Sequence, residues 1–213
     1  MKKTTKQYLE SLEMSGIQDI FFEERKMNST EKFEKLKAKT LKCKKCELAK
    51  TRNNVCFGNG NPNADLMLIG EAPGAEEDKT GNVFVGRAGK LLTKMLQAIN
   101  LEREDIYIAN TVKCRPPENR DPKAAEKIAC LPYLEKQIAI IQPKIILLVG
   151  RVAAINLLKQ DIPLKTFRET THLYQGIKTY VSYHPSALLR NPNWKRPAWE
   201  DLQKIQQDLE NLK

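Results

Sequence analysis

Histidine is scarce in this 213-residue chain: there are two, and His172 lies outside any motif. Long apolar runs are missing, and none approaches the roughly 18 residues that a membrane-spanning helix needs. The opening MKKTTKQYLESLEM is basic but has no continuous apolar stretch, so no secretory signal is read and a cytoplasmic protein is expected. Internal repeats and low-complexity tracts are absent as well. Cysteine occurs five times, an odd number that does not suit paired disulfides in a chain without an export signal. Clustered thiols then point to metal ligation. Apolar residues make up 41% of the chain, an ordinary globular share that excludes collagen, a wholly disordered tail and a small disulfide scaffold. The length corresponds to about 1.4 typical domains. One domain with a short extension is expected, long enough to bury its own core.

What is abundant is positive charge. Lys and Arg number 36 against 26 Asp and Glu, a formal net charge of +10. Such a surplus favours polyanions, nucleic acid first and acidic lipid second. Residues 1–27 carry a loose helical pattern (Leu9, Leu12, Ile17, Ile20, Phe21) and are read as an N-terminal extension of unknown role; residues 28–213 form the core domain. Asn28, followed by Ser29, Thr30 and Glu31, marks a helix start. Phe33, Leu36 and Thr40 follow at helical spacing, and the helix runs into Cys43-Lys-Lys-Cys46.

From Asp65 onward strands and helices alternate. Apolar runs predict strands at Leu66–Ile69, Ile106–Ala109, Ile145–Val149 and Thr179–Ser182. Leu91, Leu92, Met95, Leu96 and Ile99 line one face of a helix over 89–99. Asp121-Pro122 reads as a cap with proline at the first helical position, followed by Ala125, Ile128, Leu131, Leu134 and Ile138. Another helix begins over 153–158. Pro197 opens a last one, with Trp199, Leu202, Ile205, Leu209 and Leu212 on one side. This order predicts an α/β fold, a parallel sheet with helices on both faces. Ligands in such sheets sit beyond the carboxyl ends of the strands. Four polar segments fall there: Glu71-Ala-Pro-Gly74, Asn110-Thr-Val-Lys-Cys114, Arg151 and His184-Pro-Ser186.

Cys43 and Cys46 form a C-x2-C pair, and Cys114 and Cys130 a C-x15-C pair separated from the first by 67 residues. Four thiolates from two distant segments can close a tetrahedral site. The wide second pair suits an iron–sulfur cluster better than zinc, but spacing does not decide between them. Cys130, between Ala129 and Leu131, also reads as a small buried residue. Cys56 has no partner at useful spacing and is read as a core thiol.

Gly70-Glu-Ala-Pro-Gly-Ala-Glu-Glu-Asp78 with Phe84-Val-Gly-Arg-Ala-Gly89-Lys-Leu-Leu92 resembles the first motif of the type-4 (family 4) uracil-DNA glycosylases. Asn110-Thr-Val-Lys-Cys-Arg-Pro-Pro117 resembles the second, and His184-Pro-Ser-Ala-Leu-Leu-Arg-Asn-Pro192 the third. The four paired cysteines resemble the ligands of that family's [4Fe–4S] cluster. The likeness runs from about residue 33 to the C-terminus. It implies a three-layer α/β/α fold around a four-stranded parallel sheet, and a monomer acting on uracil-containing DNA without a membrane. Val83 stands where the family commonly has proline. A related subgroup bonds covalently to DNA through a histidine between the second motif and the fourth cysteine; residues 115–129 contain none here, so covalent capture is not expected.

The resemblance also implies roles. Uracil must leave the duplex stack before its glycosidic bond can be reached. Phe84 would stack on the base, although it also reads as a core phenylalanine. Asn110 would read the edge that distinguishes uracil from cytosine, although it also reads as a loop cap. Glu77 would exclude the thymine methyl group. His184 would donate to the uracil carbonyl as negative charge develops, with backbone groups around Gly70, Glu71 and Ala72 supplying further contacts. The best-known uracil glycosylase family has an aspartate where Ala72 stands, which leaves Glu71 to position the water. Arg190 resembles the wedge that fills the space left by the flipped base. Arg87 and Lys113 are phosphate contacts from charge and position alone. Two other readings stay open: a metal-stabilised nucleic-acid binding module needing neither Asn110 nor His184, and a glycosylase with broader taste for deaminated purines.

Overall fold

The computed structural model describes residues 27–212. The helical pattern expected over residues 1–27 lies outside the described residues, apart from Met27. Helix α1 (Ser29–Leu41) starts as the sequence dictates. The Asn28 side chain accepts from the Glu31 N–H at 2.9 Å, and the Glu31 carboxylate accepts from the Asn28 N–H at 3.1 Å. This reciprocal cap satisfies two backbone donors.

The sheet has six strands: β1 (Asn59–Gly60), β2 (Leu66–Gly70), β3 (Tyr107–Asn110), β4 (Ile145–Val149), β5 (His172–Tyr174) and β6 (Ile177–Ser182). Their order is β1-β3-β2-β4-β6-β5. Strands β3, β2, β4 and β6 pair in parallel. The expected sheet of four strands is thereby corrected to a mixed sheet of six, because an antiparallel strand is added at each edge. Neither edge strand has apolar periodicity. β1 is two residues long and ends in glycine. β5 joins β6 through Gln175-Gly176, both at positive φ (50° and 82°), a two-residue turn whose twist suits a hairpin.

The parallel strands are apolar on both faces, as burial on both sides requires. Between them run α2 (Ala75–Thr80), α3 (Arg87–Gln97), α4 (Ala124–Ile141), α5 (Arg151–Leu158), α6 (Leu164–Glu169), α7 (Pro185–Arg190) and α8 (Lys195–Glu210). One face of the sheet presents Met67, Ile69, Ile146 and Leu148 to α1, α4, α5 and α6. The other presents Leu66, Leu68, Ile108 and Leu147 to Leu92 and Leu96 of α3 and to Leu202 and Ile205 of α8.

Four helix starts differ from expectation, and α5 begins at Arg151 where 153 was expected. Helix α3 begins at Arg87, two residues early. Helix α4 begins at Ala124, not at Asp121-Pro122, because the Glu126 carboxylate accepts from the Lys123 N–H at 2.7 Å and pairs with Arg120. Its buried face is accordingly Cys130, Tyr133, Leu134, Gln137, Ile138 and Ile141, while Ile128 is 72% exposed. Helix α8 begins at Lys195, with Pro197 inside its first turn where no intrahelical donor is needed.

Candidate active site

The β2–β3 ladder fixes the heart of the site. Gly70 pairs with Asn110, and the ladder continues past the strands through Thr111 N–H to Gly70 O and Val112 N–H to Glu71 O, both 2.9 Å. Glu71 and Asn110 therefore emerge side by side at the carboxyl end of the sheet. Gly70 has to be glycine, since a Cβ there would stand 2.5 Å from Asn110 Oδ1 and 2.6 Å from the Phe84 ring.

Phe84 enters from the loop before α3 with φ +52°, a conformation that a bulky residue holds only when its surroundings enforce it. The enforcement is visible. Glu77 Oε1 accepts from the Val85 and Gly86 N–H groups at 2.8 and 2.9 Å. Asn59 Oδ1 accepts from the Val83 N–H at 2.8 Å, and Arg103 donates to the Val83 carbonyl at 2.8 Å. Gly89 leaves room for the Phe84 carbonyl, which a Cβ there would overlap at 1.7 Å. The Phe84 and His184 ring centroids are 5.5 Å apart.

His184 caps α7. Its Nδ1 accepts from the Ser186 N–H at 3.2 Å and lies 2.7 Å from Ser186 Oγ. An accepting Nδ1 leaves the proton of a neutral imidazole on Nε2. Burial, reinforced by Arg190, lowers its pKa to about 4, so the ring is neutral near pH 7. Glu71 moves the other way. Burial and then the nearby Asp121 raise its pKa to about 7, against a smaller opposing effect of Lys127.

These groups surround one cavity of about 530 Å³, lined by Glu71, Ala72, Glu77, Phe84, Asn110, His184 and Arg190 among others. That size is ordinary for a small-molecule site. Asn110 is 1% exposed, and its Oδ1 has no hydrogen-bond partner. Buried acceptors are rarely left so. Arg87 lies outside this cavity, in an adjoining groove that it shares with Leu189 and Arg190. Arg151 reaches the cavity rim but is tied to Asp161.

The expectation that Lys113 touches phosphate is corrected. Its side chain is buried, donating from Nζ to the Asn110 carbonyl at 2.9 Å and to Gln137 Oε1 at 2.5 Å. A lysine in the Asn110–Cys114 segment points inward because β3 delivers that segment into the core. The sequence reading missed Asn59, Arg103 and Arg120. One signal existed: Val83 retains an N–H that a proline would lack, and Asn59 answers it.

Cys43, Cys46, Cys114 and Cys130 line a second, small cavity. Among the described residues no three His, Cys, Asp or Glu side chains are already gathered tightly enough to hold a metal ion. The donor chemistry nonetheless fits a thiolate-bound group. Four thiols and no carboxylate or imidazole line the cavity, and Lys45, Arg52 and Lys113 surround it with positive charge. Arg52 donates to Cys114 Sγ at 3.1 Å, and the Lys113 N–H to Cys130 Sγ at 3.2 Å. Cys56 is fully buried away from this cavity, with its thiol pushed up to about 12 mainly by burial.

Residues 57–203 match the model of the uracil DNA glycosylase superfamily. The type-4 uracil-DNA glycosylase of Sulfurisphaera tokodaii is 44% identical over 183 residues, covering 82% of this chain and 83% of that protein. The Thermotoga maritima protein of the same name is 43% identical over 167 residues, 76% of this chain and 87% of its own length. A type-5 uracil-DNA glycosylase of Pyrobaculum aerophilum stands further off, at 30% identity over 169 residues, 68% of this chain and 71% of that protein. With three ordered motifs meeting at one cavity and relatives matched over most of their length, the chain belongs to the type-4 uracil-DNA glycosylases of the uracil DNA glycosylase superfamily.

Proposed function

We propose that this protein removes uracil from DNA by hydrolysing the N-glycosidic bond of a flipped deoxyuridine, leaving an abasic site as the first step of base excision repair. The observation that carries this reading is the unpartnered, buried Oδ1 of Asn110, a residue that lines the cavity together with Phe84 and His184. An acceptor held dry and unpaired is satisfied by a ligand N–H, and uracil presents one where cytosine presents a bare nitrogen. A site built to hydrogen-bond a substrate group rejects analogues lacking it by about 10⁴-fold or more.

The remaining groups divide the labour. Phe84 offers a flat apolar face to the base. As the bond to the sugar breaks, the departing uracil gains negative charge, and the neutral His184 Nε2–H donates to it without first losing a proton to solvent. Donors fixed in place before the reaction are the most effective kind of charge stabilisation. The sugar gains cationic character, as in other glycoside cleavages. Glu71, once ionised, orients the attacking water and faces that cation. Glu77 acts on thymine exclusion indirectly as well as by position: it holds the loop carrying Phe84 so that the cavity cannot widen for a methyl group. Arg190 fills the vacated stack, and Arg87 holds phosphate in the adjoining groove.

The thiol cavity would hold a [4Fe–4S] cluster through Cys43, Cys46, Cys114 and Cys130. The reaction transfers no electrons, so the chemistry that the cluster supplies is structural cross-linking. The enzyme is read as a cytoplasmic monomer, with 28–213 as the catalytic domain and 1–27 as an appended segment.

The test is uracil release from labelled single- and double-stranded oligonucleotides, followed by alkali. Scission is expected only when uracil was present, and a panel with hypoxanthine and xanthine separates this reading from a broader specificity. Absence of scission by protein that still binds DNA would favour a binding module. Protein prepared without oxygen should be yellow-brown with about four irons per chain; colourless, zinc-containing protein would remove the cluster.

A further inference from the structure

A second aromatic assembly stands at the carboxyl end of β6, beside the cavity but outside it. Tyr183, between β6 and His184, stacks on Trp194 with ring centroids 5.0 Å apart and planes 19° from parallel. The Arg168 guanidinium lies 4.4 Å from the centroid of the same tyrosine ring. Arg168 is itself fixed from three sides. Its Nε and Nη2 donate to the two Asp201 carboxylate oxygens at 2.7 and 3.0 Å, and Nη2 also donates to Pro197 O at 2.8 Å. Ser182 Oγ completes the network by donating to Asp201 at 2.7 Å.

The Arg168 and Asp201 side chains are 10% and 4% exposed. A buried ion pair of this kind contributes little net stability, because desolvation offsets its attraction. Its effect is geometric, locking Arg168, Tyr183 and Trp194 into one rigid column tied to α6, β6 and α8. The outer member is left partly uncovered, for Trp194 is 39% exposed. Around it Arg190, Lys195 and Arg196 are exposed, Arg196 pairing with Glu200 at 3.5 Å, and no acidic residue occurs between His184 and Trp199. The column is also continuous with the cavity through Tyr183-His184 and through Arg190 on the cavity wall.

We propose that Trp194 is a stacking platform for a nucleobase of the DNA strand flanking the flipped nucleotide. This rests on the glycosylase reading for its register, although the platform itself needs only single-stranded character beside the cavity. A ring fixed in advance loses little freedom when a base settles on it, and every base has a π face, so the contact tolerates sequence. The neighbouring cations meet the phosphates on either side of that base.

The chain has two tryptophans, so Trp199→Phe leaves Trp194 as the single indole reporter. Its fluorescence should fall on titration with a single-stranded oligonucleotide carrying a non-hydrolysable deoxyuridine analogue. Trp194→Ala should weaken binding roughly tenfold, while Trp194→Phe, which keeps the ring, should retain most of the affinity and serve as the folding control. Oligonucleotides with one abasic spacer at each flanking position in turn should weaken wild-type binding at one position, and Trp194→Ala should be indifferent there. Unchanged fluorescence while the anisotropy of labelled DNA reports binding would overturn the platform. So would spacer profiles that are the same in wild type and Trp194→Ala, or an absence of DNA binding altogether. Uracil release by the wild type, measured separately, tells the two readings apart. Release without any Trp194 effect sinks the platform alone. A Trp194 effect without release sinks the glycosylase reading and leaves a nucleic-acid contact.

Discussion

Asn110→Ala isolates the claim on which base recognition rests. The substitution removes one amide and leaves the backbone carbonyl that accepts from Lys113 Nζ at 2.9 Å. In the free protein Oδ1 is buried without a partner, a state that costs about 1–3 kcal/mol. Deleting it recovers that cost, and the small void left behind takes back a comparable amount. Folding stability should therefore change by less than about 1 kcal/mol, a shift of no more than about 2–4 °C in Tm for a domain of this size. In the complex the balance is different. Uracil would lose the acceptor for its N–H and the donor for its carbonyl, each at a largely buried position of the cavity. At about 1–3 kcal/mol per abandoned group, the loss is about 2–6 kcal/mol of transition-state stabilisation. That is roughly 30- to 25,000-fold in kcat/KM. Single-turnover release from a uracil oligonucleotide, thermal unfolding and affinity for uracil-free DNA would be measured together. A fall in kcat/KM below tenfold, or one matched by an equal loss of affinity for uracil-free DNA, would refute Asn110 as the base-reading group.

Three further outcomes are expected. The single-turnover rate should rise with pH through about 7, because Glu71 is protonated below its raised pKa and only the carboxylate orients water; Glu71→Gln should lower the rate and flatten the limb, whereas an acidic limb near the His184 value of about 4 would assign the titration to the imidazole. Arg190→Ala and Arg87→Ala should each reduce the slope of log affinity against log salt by about 1, while Lys113→Met, deprived of a buried donor to Asn110 and Gln137, should lower Tm and leave that slope unchanged. Gly89→Ala should destabilise the fold by about 3 kcal/mol or more and impair uracil release, since its Cβ would meet the Phe84 carbonyl at 1.7 Å; wild-type behaviour in both assays would show that the Phe84 loop is not held as described.

The parts of this molecule that were legible in the sequence are those governed by local rules. Leu66–Gly70 and Ile145–Val149 read as buried strands because five successive apolar or small residues leave no solvent face. Asn28 and Glu31 announced their helix by a reciprocal cap. That Glu71, Asn110 and His184 would meet at one cavity was legible because their motifs follow strand ends, and parallel strands bring those ends together. What was not legible depends on partners far along the chain. Nothing local says that Glu77 spends its carboxylate on Val85 and Gly86, or that Arg103 grips Val83 from 20 residues away. The burial of Lys113 was hidden for the same reason, because its acceptor Gln137 lies 24 residues further on. The shift of the α4 start to Ala124 came from an Arg120–Glu126 pair that outcompeted the proline signal.

The segment from Asn110 to Pro116 explains why a hydrolase would keep four thiols. Asn110 faces the base cavity, Cys114 faces the thiol cavity, and Pro116 returns to the base cavity. Lys113 sits between them, bonded through its backbone N–H to Cys130 Sγ and through Nζ to the Asn110 carbonyl. Cys114 and Cys130 bracket the loop that brings Asn119 and Arg120 to the cavity wall. That loop holds Glu118 and Asn119 at positive φ (55° and 57°), conformations that cost energy in residues other than glycine. Ordering a stretch of this kind costs about 1–2 kcal/mol per residue, and the hydrogen bonds within it are local: Arg115 to Asn119, the Asn119 and Arg120 N–H groups to the Pro116 and Pro117 carbonyls, Arg120 to Asp121 and Glu126, and the Lys123 N–H to Glu126. A centre bonded to both bracketing sulfurs would tie the two ends of this loop together in the folded protein and so offset part of that cost. The thiols would then act on catalysis through the shape of one wall, and their loss should loosen the loop from Arg115 to Lys123 before it disturbs the parallel strands.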